Sequence, residues 1–173
     1  LIYLLLFFIN NLYTQGYDNI WIFGGTGITA NKQGGNLLNF TNNPVTVDTL
    51  KLPIRVYVTL STISDSIGNL LFYTNGVKII NSNHEIMENG DSLSNCDFTY
   101  SYNMYNIGQG TPNGSLIIPD PKFPNIYYLF HYNYVGAFEP PQAPFYGCSH
   151  LLCTTIDMSY NNGLGKVIDK NVP

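Results

Sequence analysis

Cys148-Ser149-His150 followed by Cys153 sets two thiols and an imidazole close together, the donor types that zinc prefers. A fourth ligand would have to be Cys96, His84 or His131, and none stands at a recognised zinc spacing. Strand alternation also turns Cys153 away from its neighbour Leu152. The same cysteines allow a Cys148–Cys153 disulfide, or Cys96 with either, and leave at least one thiol unpaired within the chain. A buried free thiol is the expected state of that one. Oxygen donors alternate at Asn81, Asn83, Glu85, Glu88 and Asp91, and gather again at Asp157, Asn161, Asn162 and Gly163. Calcium accepts such patterns, yet neither has the EF-hand spacing and Asx turns explain both. Metal ligands and cofactors are therefore assigned as none, with calcium the weaker alternative.

Nucleophiles and phosphate cradles fare no better. Gly24-Gly25-Thr26-Gly27 follows an apolar run, but the third glycine of a dinucleotide fingerprint is absent and no Lys-Ser/Thr pair follows. A strand-ending turn is the expected reading. Gly114-Ser115-Leu116 lacks the preceding pair of a nucleophile elbow. Asp65 and Asp120 occupy equivalent turn positions, which suits structure rather than paired-carboxylate hydrolysis. Tyr100, Tyr102 and Tyr105 alternate with polar residues and either stack on sugar rings or cover a small loop core. No catalytic residue is assigned.

These residues sit in a chain of 173 that is 45% hydrophobic, 14% aromatic and only 10% charged, with 22 Asn and 16 Gly. Charged residues are well below the roughly 25% of average proteins, so the types that decorate helix surfaces are scarce. A net charge of −4 excludes an electrostatic grip on nucleic acid. Fourteen Tyr and ten Phe supply enough apolar area to exclude disorder. Abundant Tyr, Phe, Ile, Val and Thr favour strands.

Leu1 to Ile9 form an apolar run that fits a secretory h-region and is too short to span a bilayer, which needs about 20 residues. Residues 1–16 are therefore expected to be a truncated signal peptide, cleaved between Asn11 and Asp18, and no transmembrane span is expected. Residues 17–173 read as strands and turns. Strands are expected at Ile20–Phe23, Leu37–Phe40, Val56–Leu60, Leu70–Thr74, Val77–Ile80, Ser115–Ile118, Ile126–Phe130, Leu151–Ile156 and Lys166–Ile168. Asn75-Gly76 is the strongest hairpin signal, since both residues tolerate the positive φ of a type I′ turn. Asn89–Asn113 and Asn133–Gly147 read as long loops. The segment from Asp65 to Tyr73 is echoed from Asp120 to Tyr128, each an Asp, a turn ending in Asn and an aromatic strand. Such repetition fits β-propeller blades, with units at about 56–88 and 115–172.

Trp21-Ile22-Phe23-Gly24, Leu38-Asn39-Phe40, the run from Ile63 to Val77, and Asn83 to Gly90 form an ordered series. It continues through Gly114 to Pro119, Pro124 to Phe130, and Ile156 to Ser159 before Gly163-Leu164-Gly165. This series resembles the N-terminal propeller-like region of large secreted Bacteroidetes proteins, whose C-termini often carry gliding-motility-associated or type IX secretion sorting domains. Two departures from that pattern are Asn75, where the family has Asp, and Gly108 to Asn113 in place of a Gly-, Ser- and Gln-rich segment. The resemblance brings no catalytic residues.

It implies an all-β fold of antiparallel meander sheets, the first two or so blades of a larger β-propeller. A closed ring needs at least four blades of about 40 residues, so the chain alone should present an apolar face. The expected function is a non-catalytic binding or scaffold module of a secreted or cell-surface adhesin-like bacterial protein, its partners being an extracellular glycan or protein and the remaining blades. The alternative is part of a secreted propeller hydrolase whose active residues lie mostly elsewhere.

Overall fold

Runs of β-branched and aromatic residues broken by Asn, Gly and Asp leave the backbone to be satisfied by strand pairing and tight turns. A computed structural model describes residues 16–24, 34–94, 108–137 and 145–173, with the backbone alone at 134–137 and 145–149. Among the described residues helix is confined to two three-residue 3-10 turns, Gly16–Asp18 and Asn161–Gly163. The fold is all-β.

Among the described residues ten strands make three sheets, each an antiparallel meander in chain order. The first holds β1 (Ile20–Gly24), β2 (Gly34–Asn39) and β3 (Thr46–Lys51). The second holds β4 (Ser61–Ser64), β5 (Leu70–Thr74) and β6 (Ile79–Asn81). The third holds β7 (Ser115–Pro119), β8 (Ile126–Ala137), β9 (Phe145–Asp157) and β10 (Lys166–Val172).

The middle sheet is buried on both faces. Period-2 alternation sends Phe72 and Ile79 one way, where they pack with Ile63 against Ile117, Tyr127, Leu129 and Ile156 of the third sheet. Tyr73 and Ile80 point the other way, onto Ile20 and Ile22 of the first sheet and onto Leu52, Ile54 and Val56. Phe72 meets Tyr127 edge to face, their ring centroids 5.7 Å apart. Each fully buried side chain of this size contributes about 1.5–3 kcal/mol from area removed from water. Sheet stacking therefore follows chain order: first on second, second on third.

The first strands of the three sheets lie side by side, β1 along β4 and β4 along β7. Side-chain hydrogen bonds tie them. The Ile20 amide donates to Ser64 Oγ at 3.2 Å, and Ser61 Oγ donates to the Ser115 carbonyl at 2.8 Å. The stack's two outward faces stay apolar. Trp21, Phe23, Phe40 and Val47 are exposed at one end, and Leu116, Ile118 and Leu151 at the other.

Four local expectations change. Val56–Leu60 is not a strand: Val58 and Thr59 both direct their amides to the Gln109 carbonyl, at 3.3 and 3.0 Å, instead of a ladder partner. The second sheet accordingly begins at Ser61. Thr46–Lys51 pairs along all of β2 although most of its side chains are polar and exposed. Asn75-Gly76 makes no type I′ turn, since only Gly76 has positive φ, at 84°. Asn75 Oδ1 instead accepts the Val77 and Lys78 amides, an Asx turn that delays β6 to Ile79. The expected loop after Asn133 is largely a long hairpin, because β8 and β9 stay paired to Ala137 and Phe145 beyond a bulge at Asn133/Tyr134.

Candidate functional site

A groove of about 700 Å³ runs beside the first strands β1 and β4. Alternation along β1 buries Ile20 and Ile22 and leaves Trp21 and Phe23 outward, 47% and 48% exposed. Phe40, just beyond β2, packs on Trp21 with ring centroids 5.0 Å apart, and Trp21 lies 6.1 Å from Phe23. The rings are tilted by 55–59°, the arrangement that aromatic quadrupoles favour over face-to-face contact. The opposite wall comes from residues 56–60, which cross the end of β1. Only glycine permits that crossing, since a Cβ on Gly24 would sit 2.4 Å from Val56 Cβ. The crossing brings Tyr57 and Val58 to the groove, and Thr62 and Asn113 complete the lining.

Among the described residues no charged side chain lines this groove. Among the described residues the Tyr57 hydroxyl, the Thr62 hydroxyl and the Asn113 amide make no hydrogen bond within the chain. The described lining therefore offers ring contact together with donor and acceptor pairing.

The sequence had drawn attention elsewhere. Asp65 and Asp120 each follow the first strand of a sheet and close a turn. Asp65 Oδ1 accepts the Ile67 and Asn69 amides, both at 2.9 Å. Asp120 Oδ1 accepts the Lys122 and Phe123 amides, and its Oδ2 accepts the Tyr128 hydroxyl at 2.7 Å. That hydroxyl, then the two amides, hold the Asp120 carboxyl below its ordinary value. The two aspartates are therefore occupied in separate turns.

The suggested zinc ligands that are described have other surroundings. His84 Nδ1 sits 3.0 Å from the Tyr73 hydroxyl, His131 is buried inside the third sheet, and His150 is exposed. Cys153 is a free thiol pushed up in pKa by burial, on the sheet face opposite Leu152. The Cys148 side chain and all of Cys96 lie outside the described residues, as do Leu1–Ile9, Gly25-Thr26-Gly27, Tyr100, Tyr102 and Tyr105. Among the described residues no group of three His, Cys, Asp or Glu could hold a metal ion. Asn81 Oδ1 accepts the Asn83 and Glu85 amides, Glu88 pairs with Lys166 at 2.8 Å, and Asp157 Oδ1 accepts the Ser159 amide and hydroxyl.

A buried polar cluster escaped sequence reasoning. Ser94, Gln109, His131 and Thr154 are all inaccessible to solvent. Ser94 Oγ donates to the Tyr132 carbonyl at 2.6 Å, so it accepts from Gln109 Nε2 and stands as acceptor toward His131 Nδ1, 3.1 Å away. Thr154 Oγ1 accepts the Asn171 amide and stands 2.9 Å from His131 Nε2. Burial lowers the imidazole pKa to about 4. The ring is thus neutral at ordinary pH, with Ser94 at Nδ1 and Thr154 at Nε2. This cluster ties the third sheet to residues 92–94.

Trp21 and Phe23 were also missed as site residues. A four-residue apolar run reads the same whether one face or both are buried, so Ile20–Phe23 gave no sign that alternate rings open outward. No protein family, curated protein or solved structure matches the chain. Among the described residues no helix is long and apolar enough to cross a membrane.

Proposed function

We propose that this chain is a non-catalytic binding or scaffold module of a secreted or cell-surface, adhesin-like bacterial protein, with its three sheets as consecutive blades of a β-propeller. The observation that carries the reading is the chain-order stacking of three meanders with their first strands β1, β4 and β7 side by side. In propellers the sheets are arranged radially around a central channel. The uncharged groove beside β1 and β4 then opens toward that axis, where a ligand is reached by several blades at once. The apolar outer face of the third sheet, at Leu116, Ile118 and Leu151, supplies a surface for a further blade. The apolar stretch Leu1–Ile9 supports export.

The test is an array of glycans and extracellular matrix proteins probed with the labelled full-length protein, run beside turnover assays on the ligands retained. The reading predicts saturable retention without turnover. Hydrolysis that disappears on replacing Asp65 or Asp120 with Asn would contradict it and establish the propeller hydrolase instead.

A further inference from the structure

We infer that the groove formed by Trp21, Phe23, Tyr57, Thr62 and Asn113 binds a neutral sugar chain, an inference that rests on the binding-module reading and names its ligand class. Four features of the groove converge on that chemistry. Its size, about 700 Å³, lies in the range of small-ligand sites, roughly 300–1,000 Å³. Its described lining carries no charge, so among those residues a phosphate, carboxylate or ammonium group entering it would find no counter-ion. Phe40, Trp21 and Phe23 form a braced row of half-exposed rings, and a ring's negative face attracts the polarised C–H bonds that line one side of a pyranose. Beside that row stand two hydroxyls and one carboxamide that no described protein group satisfies. Hydroxyls and carboxamides both give and accept hydrogen bonds, as sugar hydroxyls do.

A proline-rich peptide is the other ligand that docks on aromatic grooves. Its prolines offer carbonyl acceptors but no N–H, so it answers only the donors of the polar wall, whereas sugar hydroxyls answer donors and acceptors alike, and the sugar chain is favoured.

Trp21 is the only tryptophan of the chain, so its fluorescence reports on this groove alone. The full chain is titrated with cellohexaose, mannohexaose and chitohexaose, with hexagalacturonate as a charged control and decaproline as the peptide control. Expected is a saturable spectral shift with at least one neutral hexasaccharide and none with hexagalacturonate. Phe23→Ala should weaken binding about tenfold, and Tyr57→Phe or Asn113→Gly about fivefold each. Asn113 has a φ of 52°, so glycine removes the amide while keeping the turn. Phe23 and Tyr57 are half-exposed, which keeps these variants folded.

A response to decaproline alone, or to no neutral hexasaccharide, would overturn the inference. So would Trp21 shielded from acrylamide quenching in the ligand-free chain, because the row would then be covered by protein. Each of these failures leaves the binding-module reading standing, since that reading falls on turnover.

Discussion

The hydroxyls of Ser61 and Ser115 meet at 2.7 Å, tying the first strand of the second sheet to the first strand of the third. Ser61 Oγ also donates to the Ser115 carbonyl, so one side chain fixes the spacing of two sheets that pack face to face beyond it. Ser61→Ala should cost about 1 kcal/mol in urea unfolding, the typical net worth of a hydrogen bond. A double-mutant cycle with Ser115→Ala should show coupling. Strictly additive losses would mean that the contact does not hold the sheets together.

Acid should destabilise the chain through His131. Its ordinary pKa of 6.5 falls to about 4 in the fold, because burial disfavours the charged ring. Between those values the unfolded chain takes up a proton that the native chain refuses, so stability declines as pH falls from about 6.5 to 4. The full loss is about 3 kcal/mol, and none of it is felt above pH 6.5. Urea midpoints from pH 7.5 to 4 would measure the slope, and His131→Gln should flatten it. An unchanged slope in that variant would place the titration elsewhere.

Much of the architecture was legible because alternation and turn chemistry are local. Asp65 and Asp120 were placed in equivalent turns from their neighbours alone, and both cap the turn after a first strand. What stayed hidden depends on partners distant in sequence. Val56–Leu60 has strand-like residues, yet Gln109 takes two of its amides. Thr46–Lys51 has weak apolar content and is held by pairing with β2. The groove was the least legible feature, since it exists only where β1, the crossing at residues 56–60 and Asn113 converge.

Phe72 sits at the contact between the second and third sheets, wholly buried and edge-on to Tyr127. Phe72→Ala should cost about 3–5 kcal/mol, enough to unfold a marginal domain. Tyr73→Phe, on the opposite face, keeps the ring and removes only the hydroxyl beside His84, so it should cost about 1 kcal/mol. Thermal melts of the two variants would check the order. A milder Phe72→Ala would mean that the two sheets do not share a core.

The turn aspartates should matter to folding and not to any chemistry. Replacing Asp120 with Ala removes the acceptor for two amides and the Tyr128 hydroxyl, and should lower the melting temperature while leaving ligand retention on the array intact. The Tyr128 hydroxyl, whose pKa the Asp120 carboxylate raises, should then ionise at lower pH in an absorbance titration. Unchanged ionisation would show that the contact is not made in solution.

The proposal's central claim is that the three sheets are successive blades about an axis lined by β1, β4 and β7. An experimental structure of the full-length protein tests it most directly. The account predicts further antiparallel meanders stacked on the Leu116–Ile118 face, each with its first strand beside the one before around that axis. A closed three-layer domain with no ring, or later segments that pack without placing strands beside β7 or β1, would contradict it.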